Sequence, residues 1–265
     1  MAMGLALLLL GPPVMAQDKP KERPQPEKDK QPPTPAEQFK AVVSQYDKAM
    51  TSFYAEYSKA KNDAERQKVF DAKYPKTDKP AKQCLELAQQ NPKTGFAVDA
   101  LVWVIQHDRG PNANRALSIL MHDHLESPKL VAVARFLTYS GMPAAPELLG
   151  TLLDKSPDKN VKGMACFGLA QVHKGRAEME GASDARRAEE YKEAEKYCNR
   201  IEAEFADVKS YRPLGQLAKG ELFEIQHLAI GQTAPTITGE DLDGKKFSLL
   251  DYRGKVVVLD FWGNW

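Results

Sequence analysis

The chain is short of cysteine, of surplus charge and of long apolar runs, and each shortage closes off a class of function. Only three cysteines occur in 265 residues, Cys84, Cys166 and Cys198, and no two stand as Cys-x-x-Cys. An odd number cannot complete a closed disulfide framework. Cys166 lies in the apolar run Gly163-Met-Ala-Cys-Phe-Gly-Leu-Ala170, which reads as a buried, inert thiol. Lys and Arg total 37 against 36 Asp and Glu, so no basic surplus points to nucleic acid and no acidic tail to a cationic partner. Neither a Gly-rich phosphate loop nor a nucleophile elbow is present. The five histidines are scattered. His122 and His124, two apart on a predicted helix, point to nearly opposite sides and cannot chelate one ion together. His107, His173 and His227 are scattered and no His/Glu helix pair supports a metal site, so neither a metal nor a cofactor is expected.

What is there falls into four parts. Leu5 to Leu10 is an apolar run too short to span a bilayer, and Val14-Met15-Ala16 fits the small-residue rule before a cleavage site. Residues 1–16 therefore read as an export signal, which predicts a periplasmic or cell-envelope protein. The pattern departs from the rule in one place, since no Lys or Arg precedes the apolar run. An uncleaved first segment would instead act as an anchor. Residues 17–33 are built from Pro, Lys, Gln, Glu and Asp, with one Arg and no aliphatic residue, and read as a disordered, Pro-stiffened tether.

Residues 34–228 read as an all-α unit of helical hairpins. Thr34-Pro-Ala-Glu37 has the capping-box pattern with Pro at the first helical position. Phe39, Val42, Val43, Tyr46, Met50, Phe53 and Tyr57 then recur at gaps of three and four, the period of an amphipathic helix. Further helices are predicted over 63–72, from Pro80 to before Pro92, and over 96–107, 112–124, 128–139, 146–153, 160–180, 184–205 and 214–228. The charged stretch from Asp184 to Lys196 reads as a solvated face. Ala165, Gly168, Leu169 and Ala170, followed by Tyr191, Ala194, Tyr197 and Ile201, faintly resemble a tetratricopeptide hairpin in which small residues admit the next helix. No fixed period runs through the other hairpins. Arrays of this kind serve as interaction surfaces or spacers, so a protein partner of the helical region is expected.

The character changes in residues 229–265. Thr236-Ile-Thr238 and Lys246-Phe-Ser-Leu249 read as a hairpin around the Asp-Gly turn of Asp241-Leu-Asp-Gly-Lys245. Tyr252-Arg-Gly254 reads as a turn. Val256-Val-Val-Leu-Asp-Phe261 is a near-continuous apolar run, the pattern of a parallel strand covered on both faces.

These four ordered parts resemble the opening of a redoxin domain. That family takes in thioredoxin-like thiol-disulfide oxidoreductases and the alkyl hydroperoxide reductase/thiol-specific antioxidant proteins. The resemblance places Ala234-Pro235 at the domain's opening motif, Gly254-Lys255 before the central strand, and Phe261, Trp262, Gly263, Asn264 and Trp265 on the stretch that leads into Cys-x-x-Cys. Asp260 and Gly263 depart from the Asn and Ala frequent at their positions. The fold class expected is mainly α, a helical-hairpin array followed by an incomplete α/β thioredoxin-like domain with a β-hairpin and the first central strand. Chemistry in this family needs a thiolate at a helix N-terminus, where the dipole and free N–H groups stabilise it. No catalytic residue is present up to Trp265, so the chain as given is expected to be inactive. The redox motif would follow at once, after a truncated reading, a premature stop or a UGA codon that encodes selenocysteine.

Two functions follow from this reading. One is an exported redoxin-type thiol-disulfide oxidoreductase or peroxidase, an antioxidant enzyme acting on protein thiols, disulfides or peroxides without a bound cofactor. The other is a non-catalytic helical interaction module with a vestigial redoxin remnant.

Overall fold

The structure is a computed structural model that describes residues 32–260 and residue 263. The expected export signal and most of the tether lie outside the described residues. All elements belong to one contact-defined unit, Pro35–Trp265. Ten α-helices follow in order among the described residues: α1 (Pro35–Tyr57), α2 (Asp63–Lys73), α3 (Asp78–Gln90), α4 (Gly95–His107), α5 (Pro111–Asp123), α6 (Leu130–Tyr139), α7 (Ala145–Lys155), α8 (Lys159–Ala177), α9 (Asp184–Arg200) and α10 (Leu214–Phe223). A two-stranded antiparallel hairpin, β1 (Thr238–Glu240) and β2 (Lys246–Ser248), comes last. No described helix is long and apolar enough to cross a membrane. The molecule is thus mainly α with an incomplete thioredoxin-like part.

Local chemistry sets the helix starts. The side chain of Asn62 accepts from the Glu65 amide, Asp158 from the amides of Asn160 and Val161, and Ser183 from that of Arg186. Each occupies an otherwise unpaired donor of a first turn. Pro111 sits at the start of α5, where its missing N–H costs nothing. Between α4 and α5, Asp108 is only 2% exposed. Its carboxylate accepts from the amides of Gly110 (3.1 Å) and Ala113 (3.2 Å), so a buried charge is held by the backbone it caps.

Helix α4 is held by burial. Seven of its 13 residues are buried, Leu101, Val104 and Ile105 among them. At about 1.5–3 kcal/mol for each large aliphatic side chain removed from water, such burial far outweighs the helix's own propensity. Helix α9 is the opposite case. Only Tyr191, Ala194 and Cys198 are buried, a single stripe against α8, and the rest is a charged, solvated face. Helix α2 buries no residue and is tied to α1 by Phe70 and Tyr74, whose rings lie 6.1 and 5.2 Å from that of Phe53.

Three outcomes differ from the sequence expectations. The predicted helices 184–205 and 214–228 do run that far, but their last five residues, Ile201–Phe205 and Glu224–Leu228, are π-helical, and neither stretch contains a Pro or Gly that would mark the widening. Gly168 does admit a close neighbour, but the neighbour is not α9. Its missing side chain makes room for Thr138 of α6 and Leu149 of α7. Finally, residues 256–260 form no strand, and the hairpin is the full extent of regular β-structure among the described residues. An apolar run becomes a strand only when neighbours accept its backbone bonds, and no described strand pairs with it here.

One polar network fastens α10 to α8. The Lys174 ammonium, with a side chain 13% exposed, binds Glu221 at 2.6 Å and also contacts Glu224. Burial alone would lower the Lys174 pKa, but the hydrogen bonds and charges of the two glutamates prevail and hold it above the ordinary lysine value. Lys174→Met should lower stability by about 1–3 kcal/mol, because Glu221 is left without its counter-ion in a mostly buried position. Adding Glu221→Gln should restore part of the loss. Urea denaturation of both variants checks this, and equal stability of Lys174→Met and the parent would contradict it.

Candidate functional site

The segment with the redoxin pattern is built from its turn outward. Asp241 Oδ1 accepts from the amides of Asp243 (3.0 Å) and Lys245 (2.8 Å), and Gly244 takes φ +77°, a value that favours glycine. The hairpin this closes pairs Thr238 with Ser248, Gly239 with Phe247 and Glu240 with Lys246. The Phe247 ring lies across Gly239, close enough that a methyl group there would stand 3.2 Å from it. After β2, Ser248 and Asp251 form a reciprocal capping box around a 3₁₀ turn, Leu249–Tyr252. Gly254, with φ +82°, turns the chain into Lys255 and the apolar run.

The expected motif residues fall as follows. Ala234 is exposed and Pro235 half-buried, without regular structure, just before the hairpin. Gly254 and Lys255 form the turn, with the Lys255 ammonium 5.8 Å from the Tyr252 ring centre. In the apolar run, Val256 and Val258 are 98% and 87% exposed, whereas Val257 and Leu259 are 40% and 51% exposed. This alternation is that of an extended chain with one face turned partly inward. Gly263 is exposed; Phe261, Trp262, Asn264 and Trp265 lie outside the described residues.

The thiols sit elsewhere. Cys84, Cys166 and Cys198 are free and fully buried, in α3, α8 and α9. None is at a helix N-terminus, so no dipole or free amide favours its thiolate. Burial pushes all three up to about 12. The Cys166 thiol donates to the Tyr197 carbonyl at 3.5 Å. These are packing residues, not nucleophiles.

Four of the five histidines are occupied locally, and the buried Nε2 of His124 has no hydrogen-bond partner among the described residues. His107 Nδ1 lies 2.8 Å from the Trp103 carbonyl, with its ring stacked on Trp103. His173 meets Glu190 at 2.7 Å across α8 and α9, and its ring stacks on Tyr197. His122 pairs with Asp123, His227 packs on Phe223, and His124 follows the end of α5. Among the described residues, no three His, Cys, Asp or Glu side chains are grouped to hold a metal ion.

Sequence reading missed one feature. A groove of about 750 Å³ runs between α1, α4 and α6, with Phe39, Val43, Val102 and Trp103 among its lining residues. Beside it, a second cavity of about 520 Å³ lies among α4, α5 and α6. Both are lined by Gln106, Ala132 and Arg135. The signal in the sequence was the width of the apolar surface on α4, more than one neighbouring helix could cover.

Comparison with known proteins gives matches of limited extent. No family model matches the chain, and no solved structure does. A stretch of 38 residues is 53% identical to the thiol-disulfide oxidoreductase ResA of Geobacillus thermodenitrificans, covering 14% of this chain and 22% of that protein. A stretch of 49 residues is 43% identical to the thiol-disulfide oxidoreductases ResA of Bacillus thuringiensis and Bacillus cereus, covering 18% of this chain and 28% of theirs. The chain thus spans about a quarter of these relatives' length, and over that stretch it is related to thioredoxin-like thiol-disulfide oxidoreductases.

Proposed function

We propose that residues 229–265 are the opening of a redoxin domain belonging to an exported thiol-disulfide oxidoreductase or peroxidase, and that the helical array positions this domain or recruits its partner. The stretch that is 53% identical to a thiol-disulfide oxidoreductase carries this reading, and we assign it to these residues. The Asp-Gly hairpin, the Gly254-Lys255 turn and the alternating apolar run support it. A completed domain would cover that run and place a reactive thiol, or its selenium analogue, at the helix after Trp265. Its substrates would be protein thiols and disulfides, or peroxides. Phe261, Trp262 and Trp265 would shield one side of the reactive group and form part of the docking surface.

A second reading, an interaction module whose redoxin segment is vestigial, draws on one observation. Every buried thiol and nearly all of the core belong to the helices.

Continuing the reading frame past the Trp265 codon separates the two. The oxidoreductase reading predicts a redox-active Cys, or a UGA codon, followed within three residues by Cys and then by a thioredoxin-like remainder. Protein made from that longer frame should reduce insulin disulfides or hydroperoxides, whereas the 265-residue chain should do neither. Unrelated sequence beyond Trp265 would leave the interaction module standing. Export is tested separately, by fusing residues 1–33 to a reporter that is active only outside the cytoplasm.

A further inference from the structure

The groove between α1, α4 and α6 carries a local surplus of positive charge. Over the whole chain the charges balance, 37 basic against 36 acidic. Around the groove they do not. Lys129 is neutralised by Asp99 at 2.6 Å and donates to the Gly95 carbonyl. Lys40, Lys48 and Arg135 remain on the rim with one further carboxylate, Asp47, among the described lining residues. In the adjoining cavity, Asp108 is the only carboxylate among the described lining residues, and it is buried and committed to backbone amides. Arg109 there reaches back to the Ile105 and Gln106 carbonyls and lies 5.3 Å from the Phe136 ring centre. The result is an apolar floor bordered by a surplus of cations.

We infer that this groove binds an acidic, amphipathic segment of a partner polypeptide. Apolar side chains at helical spacing would seat against Phe39, Val43, Val102 and Trp103, and Asp or Glu on the flanks would meet Lys40, Lys48 and Arg135. The apolar floor favours a polypeptide over a nucleic acid, whose phosphates would gain nothing from it. No residue of the redoxin-like segment lines the groove or the adjoining cavity, so the groove and the redox reading stand or fall separately.

The test uses the full chain and three fluorescent probes. One is a peptide about five turns long with Leu at i, i+3, i+4 and i+7 and Glu at its exposed positions. The second carries Lys in place of Glu. The third is polyglutamate, which has the charge without the apolar face. The acidic amphipathic peptide should bind at least about tenfold more tightly than either of the others. In the double variant Lys48→Glu/Arg135→Glu, both substituted positions are exposed, so its fold should persist, as a circular dichroism spectrum and melting curve will check. It should lose that preference and favour the basic peptide. Absence of binding, equal binding of the two peptides, or equal binding of polyglutamate would overturn the inference. So would self-association of the chain that competes with the acidic peptide, since the groove would then hold a second copy.

Discussion

Gly168→Leu should prevent stable folding of the helical core, and even Gly168→Ala should cost about 1–3 kcal/mol. A methyl carbon at this position would stand 2.5 Å from Thr138 Oγ1 and 3.0 and 3.1 Å from the two Leu149 methyl groups. The Thr138 hydroxyl has little freedom to yield, because it is buried and donates to the Ala134 carbonyl at 2.8 Å. Alanine would otherwise be favoured in a helix by about 1 kcal/mol, so the clash must overcome an opposing gain. Gly175, in the same helix, supplies the control. A methyl group added there would meet nothing within 4 Å, and Gly175→Ala should raise stability by about 0.5–1 kcal/mol. In a Thr138→Ala background the penalty of Gly168→Ala should shrink, because the nearest contact is gone. Urea denaturation of these variants measures all of the effects. A Gly168→Ala protein more stable than the parent would mean that α8 does not sit against α6 and α7 as described.

The second large effect concerns the thiols. In the native chain at pH 8, all three cysteines should resist a disulfide reagent over times in which the denatured chain releases three equivalents. With pKa values pushed up to about 12 by burial, the thiolate fraction near pH 8 is about 10⁻⁴, roughly a thousandfold below that of an ordinary cysteine. Enclosure by the core slows the reaction further. The same burial makes stability depend on pH. Folding raises these pKa values from 9.0 to about 12, so the folded chain keeps protons that the unfolded chain has already lost. The contribution is complete below pH 9 and is lost between pH 9 and about 12, by up to about 1.4 kcal/mol per pH unit for each thiol. Replacing Cys84, Cys166 and Cys198 by Ala should flatten this alkaline decline, which melting curves across the range will read. Rapid labelling of any thiol in the native chain at pH 8 would reopen the possibility that it takes part in chemistry.

Sequence legibility followed the range of the forces involved. Helix starts at 63, 160 and 184 are readable from the sequence to within a residue, and the structure supplies the local reason in the caps Asn62, Asp158 and Ser183, each acting within three residues. The hairpin was readable because Asp241 and Gly244 settle the turn by themselves. The capping role of Asp108 was not, since a helix-ending aspartate looks the same whether solvated or buried. Gly168 was recognised as a close-approach residue, but small size does not say which helix approaches. The run Val256 to Asp260 has the composition of a covered strand, yet strand formation depends on neighbours the local pattern does not contain. Nothing in the local sequence marks Lys40, Lys48 and Arg135, and only the fold brings α1 and α6 to one groove.

The order of helix packing also bears on how the chain acquires its structure during synthesis. α3 packs on α4, α4 on α5, α7 on α8 and α8 on α9, so most helices find a partner one element away in sequence. Contacts this local close small loops, and small loops close quickly. Each hairpin can therefore form soon after it leaves the ribosome. The array will be assembled from its N-terminal side while the residues after Leu228 are still being made. The exposed apolar stretch at Val256 to Leu259 then emerges beside a finished helical neighbour, not among unfolded segments open to pairing with it.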